Sequence, residues 1–83
     1  MYQLLINNSA QKQLDKTVFT IVKRISIKIL ELKNNPRPAG CKKLNNEKGY
    51  RIRIGDYRIL YEIDDKKKIL IIYKVAHRRE VYR

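Results

Sequence analysis

Twelve residues constrain this chain more than any others: Tyr50-Arg51-Ile52-Arg53-Ile54-Gly55-Asp56-Tyr57-Arg58-Ile59-Leu60-Tyr61. Basic and apolar side chains alternate, break at Gly55-Asp56, and alternate again. Alternation of period two marks a half-buried strand, because successive side chains leave a strand on opposite faces. Gly55 at the first loop position supplies the positive φ of a primed two-residue turn, so the run reads as a β-hairpin. With that loop, Ile54 faces Tyr57, Arg53 faces Arg58 and Arg51 faces Leu60. Two arginines then stand directly opposed on one face. Like charges so placed cost a sheet roughly 0.2–1 kcal/mol. An anion lying over the pair would remove that cost, and phosphate is the expected one.

Composition supports a polyanionic partner. Twenty Lys and Arg against eight Asp and Glu give a net charge of +12. That excess fits nucleic acid or an acidic protein. A membrane surface fits poorly, since no apolar run approaches the roughly 20 residues of a span. The opening Met1-Tyr2-Gln3-Leu4-Leu5-Ile6 lacks the charged n-region of a signal peptide, so the expected compartment is the cytoplasm. Cys41 is the lone cysteine. No disulfide framework and no Cys/His cluster with metal spacing is present in the sequence, so no metal or cofactor is expected.

The 83 residues suffice for one small domain, residues 1–83,. Tyr2 to Asn7 reads as a strand, followed by a short helix over Ala10 to Lys16, capped by Asn8 or Ser9. Thr17 is placed to cap a second helix to about Lys33. Its apolar stripe is Val18, Val22, Ile25, Ile29 and Leu32. Phe19, Ile27 and Leu30 lie off that stripe and leave a second apolar face for a protein partner or a wide core. Asn34 to Gly40 is a breaker-rich loop. Asp64-Asp65-Lys66-Lys67 reads as a turn rather than a metal site. Ile69 to Val75 is almost continuously apolar and suits a central strand. The fold expected is α+β, in the order β-α-α-β-β-β: an antiparallel sheet with a helical hairpin packed on one face.

On that fold, Tyr50, Ile52, Ile54, Tyr57, Ile59, Tyr61 and Ile63 turn toward the helices. Arg51, Arg53, Arg58 and Glu62 turn away. A planar guanidinium forms paired bonds to phosphate and stacks on bases. The tail adds His77, Arg78 and Tyr82, which the chain can return toward the same face. Histidine is the side chain that exchanges a proton near neutral pH, and tyrosine offers a platform for a base.

The hairpin, followed by Val75-Ala76-His77-Arg78-Arg79-Glu80-Val81-Tyr82, closely resembles the RelE/ParE superfamily of toxin–antitoxin toxins. The likeness extends over essentially the whole chain. In its RelE branch it implies a ribosome-dependent, metal-independent mRNA endoribonuclease that cleaves by attack of a ribose 2′-OH on the adjacent phosphate. On that pattern Arg51 and Arg53 clamp the scissile phosphate and help activate the 2′-OH. Arg58 stabilises transition-state charge, Arg78 lies near the leaving 5′-oxygen, and Tyr82 stacks on the attacked nucleotide. Some members carry Lys where this chain has Arg51 and Arg53, and arginine is a poor general base. His77 is therefore the candidate for acid/base work, the other reading being a hydrogen-bonded histidine that orients Arg78 or Tyr82. The chain stops at Arg83, so no C-terminal helix is expected over the site. The ParE branch implies a different activity on the same fold, inhibition of DNA gyrase by protein binding. A nucleic-acid-binding module without toxicity is a third reading. Either toxin implies a cognate antitoxin, RelB-like, with an acidic amphipathic C-terminal segment. The RelE reading adds mRNA on the ribosome as a partner.

Overall fold

The computed structural model describes residues 1–45 and 48–77. Strand β1 (Gln3–Ile6) leads into helices α1 (Asn8–Asp15) and α2 (Phe19–Asn34). A two-residue strand, β2 (Lys42–Lys43), precedes β3 (Tyr50–Ile54), β4 (Tyr57–Asp64) and β5 (Ile69–His77). The sheet order is β1-β5-β4-β3-β2. The expected α+β fold is present, with two refinements. β2 adds an antiparallel edge to β3. β1 runs parallel to β5, Leu4 against Leu70 and Ile6 against Ile72, which makes the sheet mixed. β5 thus lies between β1 and β4, the central place that its apolar run required,.

The hairpin has the register read from the sequence: Arg53 opposite Arg58, Ile54 opposite Tyr57, Arg51 opposite Leu60. Gly55 has φ +57 while Asp56 is not left-handed, the pattern of a turn with glycine at its first central position,.

The helices begin differently from expectation. Asn7, not Asn8 or Ser9, caps α1, its side chain accepting from the Ala10 N–H at 2.9 Å. All three residues are good caps, and the one whose backbone stays extended takes the position. Thr17 does not cap α2. Its hydroxyl donates back to the Gln13 carbonyl at 2.7 Å, and Val18 stands at the cap with no side-chain bond. Val18 therefore lies outside the helical period and is 64% exposed. Ile21 packs toward the core beside the expected Ile25, Ile29 and Leu32.

Those helical residues meet Ile52, Ile54, Ile59, Tyr61, Leu70, Ile72 and Val75 on the covered face of the sheet. Tyr61 is fully buried, and its hydroxyl donates to the Pro36 carbonyl at 2.7 Å, which holds the helix-to-sheet loop down. Burial, and then Cys41 nearby, pushes the Tyr61 phenol above its ordinary value. Arg37 from the same loop makes a paired contact with Asp65 (2.9 and 3.2 Å) and donates to the Tyr50 hydroxyl at 3.0 Å. Tyr2 donates to Asp65 at 2.6 Å. The Asp64-Asp65 turn is thus a structural clasp, with Asp64 accepting from the Lys67 N–H. Phe19, Ile27 and Leu30 remain exposed, as the second apolar face of α2 suggested. No helix among the described residues is long and apolar enough to cross a membrane.

Candidate functional site

The site rests on the sheet face turned away from the helices. Antiparallel partners share a face, so the register sorts the side chains without ambiguity. One cross-strand row is Arg53, Arg58 and Ala76. The next is Lys42, Arg51, Leu60 and Lys74. Five cations from four strands therefore stand in two adjacent rows. Leu60 is nonetheless buried. Its row neighbours Arg51 and Lys74 have aliphatic stems long enough to lie over it, with the charges outward. At the hairpin tip Arg24 of α2 adds another guanidinium, whose Nη1 lies 3.4 Å from where a Gly55 Cβ would stand.

Arg51, Arg53 and Arg58 are thus brought together as expected. His77 is not. It pairs with Tyr57, on the face of Ile59 and Val75, opposite in parity to Arg58 and Ala76. There the imidazole meets the Tyr57 ring edge-on, 5.0 Å between centroids at 89°. The strand continues regularly through His77, and its alternation carries that residue away from the arginines. Arg78 and Tyr82 lie outside the described residues.

Two members of the face, Lys42 and Lys74, were missed in the sequence. β2 is too short to show a period, and Lys74 interrupts an apolar run that hides its own alternation. The signal for Lys74 was its place as the one charged residue in the run Ile69 to Val75. Chemically, the face can hold a phosphodiester through several guanidinium groups and stabilise added negative charge on it. Among the described residues no group of three or more His, Cys, Asp or Glu could hold a metal ion.

The architecture is thus a five-stranded sheet with two helices on one face and an open cationic face on the other. The family model for the ParE toxin of type II toxin–antitoxin systems, parDE, matches residues 4–82, and the chain belongs to that family. It is a toxin of the RelE/ParE superfamily. The isolated E. coli RelE toxin superposes with a TM-score of 0.83 at 27% identity, covering 99% of this chain and 92% of that one. The toxin–antitoxin complex RelBE2 of Mycobacterium tuberculosis gives a TM-score of 0.82 at 29% identity, covering 93% and 98%. In sequence, Toxin RelG of Mycobacterium tuberculosis is 44% identical over 34 residues, which are 41% of this chain and 39% of RelG.

Proposed function

We propose that this toxin is a ribosome-dependent mRNA endoribonuclease of the RelE type. The observation that carries the reading is the opposed pair Arg53 and Arg58 with Arg51 beside it, on one open sheet face. The 2′-OH of the attacked ribose gives its proton to solvent water as its oxygen bonds to the adjacent phosphorus. The bond from phosphorus to the 5′-oxygen breaks, and the leaving 5′-oxygen takes a proton from solvent. The products are a 2′,3′-cyclic phosphate and a 5′-hydroxyl. Arg51 and Arg53 hold the scissile phosphate, and Arg58 stabilises charge as the phosphorane forms. Such chemistry gains chiefly from in-line positioning and electrostatic stabilisation. Arg78 serves the leaving oxygen and Tyr82 stacks on the nucleotide, roles that rest on the family resemblance. His77, packed on Tyr57 across the sheet, acts as a positioning residue for the tail that follows it.

The antitoxin is a small protein with an acidic segment that neutralises the cationic face and covers Phe19, Ile27 and Leu30. Solved relatives include RelB–RelE complexes, which supports such a partner. A second reading has its own support. The family model matched is that of ParE, so gyrase inhibition by protein binding is the alternative. Primer extension on a translated messenger, beside a gyrase supercoiling assay, separates the two. Cleavage with intact supercoiling is the expected result; blocked supercoiling without cleavage would establish the alternative.

A further inference from the structure

Beyond the arginine rows, the same face holds an open depression of about 380 Å³, lined by Lys48, Glu62, Tyr73 and Lys74. Its construction is unusual for a strand. Leu60 pairs with Lys74 but Tyr61 pairs with Ile72, a register shift that leaves Tyr73 as an extra residue on β5. In a regular strand Tyr73 and Lys74 would point to opposite faces. The bulge lets both line one depression, and bulges commonly re-aim side chains in this way. The Tyr73 hydroxyl donates to the Lys48 carbonyl at 2.9 Å, which fixes the ring against the incoming loop. Gly49, at φ +99, allows that loop to come so close. A Cβ there would collide with the Tyr61 carbonyl oxygen and lie 3.2 Å from Glu62 Cγ.

The depression is continuous with the cationic face, since Lys74 shares a row with Arg51. Along β4 the row that holds Lys74 lies two residues, about 7 Å, from Arg58, and Glu62 lies four residues, about 13 Å, from it,. We propose that this depression is a second nucleotide subsite, which takes a base of single-stranded RNA flanking the phosphate held by Arg53 and Arg58. The inference rests on the nuclease reading above and adds base selection to it. Tyr73 presents an aromatic edge or face to the base, and the ammonium groups of Lys48 and Lys74 take its phosphate. Glu62 is a carboxylate in a cationic field and repels phosphate, so it faces the base edge. It accepts hydrogen bonds from bases that carry an amino group, adenine, cytosine and guanine, in preference to uracil.

The test uses the full chain and short fluorescein-labelled RNAs with 2′-O-methyl riboses, which bind but cannot be cleaved. Binding is read by anisotropy across a salt series, and the same variants are mapped on a translated messenger. Tyr73→Leu is expected to weaken binding about tenfold, the scale of one stacked base. Lys74→Gln is expected to reduce the slope of log affinity against log salt by about 0.7, one single-strand phosphate contact. Glu62→Gln is expected to diminish the preference over uracil and to shift the distribution of cuts. Tyr73→Phe, which keeps the ring and loses the bond to Lys48, is expected to fall between wild type and Tyr73→Leu. Unchanged RNA affinity, salt slope and base preference in all of these would overturn the subsite. Unchanged RNA binding with weaker binding of a polyglutamate peptide would also overturn it, in favour of an acidic protein segment. Wild-type protein that binds RNA through these residues but cuts no messenger would refute the nuclease reading and leave the subsite standing.

Discussion

Arg53 and Arg58 are paired directly across two strands, an arrangement that folding alone does not favour. Arg53→Thr places a good strand former at an exposed position,. It is expected to keep stability within about 0.5 kcal/mol of wild type while abolishing cleavage. A clear loss of stability would mean that the arginine serves packing. Tyr61 acts in the opposite sense. Tyr61→Phe leaves the Pro36 carbonyl without its buried donor and is expected to cost about 1–2 kcal/mol in urea unfolding. Asp65 links stability to pH. Hydrogen bonds from Arg37, then Tyr2, hold its carboxyl at about 2, below its ordinary 3.8. A depressed carboxyl stabilises the fold above the unfolded value and loses that contribution as pH falls through 3.8 toward 2. Asp65→Asn is therefore expected to flatten the decline in stability between pH 4 and pH 2, measured by chemical denaturation.

At the scale of the element, the exposed side of α2 separates folding from partnership. Phe19 and Leu30 are more than half exposed, so a Phe19→Ser, Leu30→Ser variant is expected to lie within about 0.5 kcal/mol per site of wild type. Its affinity for the antitoxin, by calorimetry, is expected to fall at least about tenfold, the scale of losing apolar anchors from an interface. Unaltered affinity would move the antitoxin off this helix. The elements also differ in how legible they were. The β3–β4 hairpin could be read residue by residue, because a two-residue turn leaves one register compatible with the alternation. The parallel pairing of β1 with β5 could not, since alternation does not name a strand's partner. The bulge at Tyr73 was hidden for a related reason: the run Ile69 to Tyr73 is apolar at every position and shows no period of two, so an inserted residue leaves no trace. His77 falls with the arginines in the sequence because the strand reads as ending at Val75, with His77 in a tail that can return toward them. In fact β5 extends through His77 and fixes its parity.

At the scale of the molecule, the covered face of the sheet holds the core and the open face gathers the cations. On the proposed function, the charge of +12 serves two partners that exclude each other, RNA and an acidic antitoxin. On the same proposed function, the opposed arginines make the open face a phosphodiester-cleaving surface. The most direct measurement is primer extension of a messenger translated in a purified system, with wild-type protein and with Arg53→Ala. Discrete cuts with 5′-hydroxyl ends in ribosome-engaged messenger, lost in the variant, are the expected result. Cuts that persist with Arg53→Ala, or an uncut messenger with wild-type protein, would contradict it.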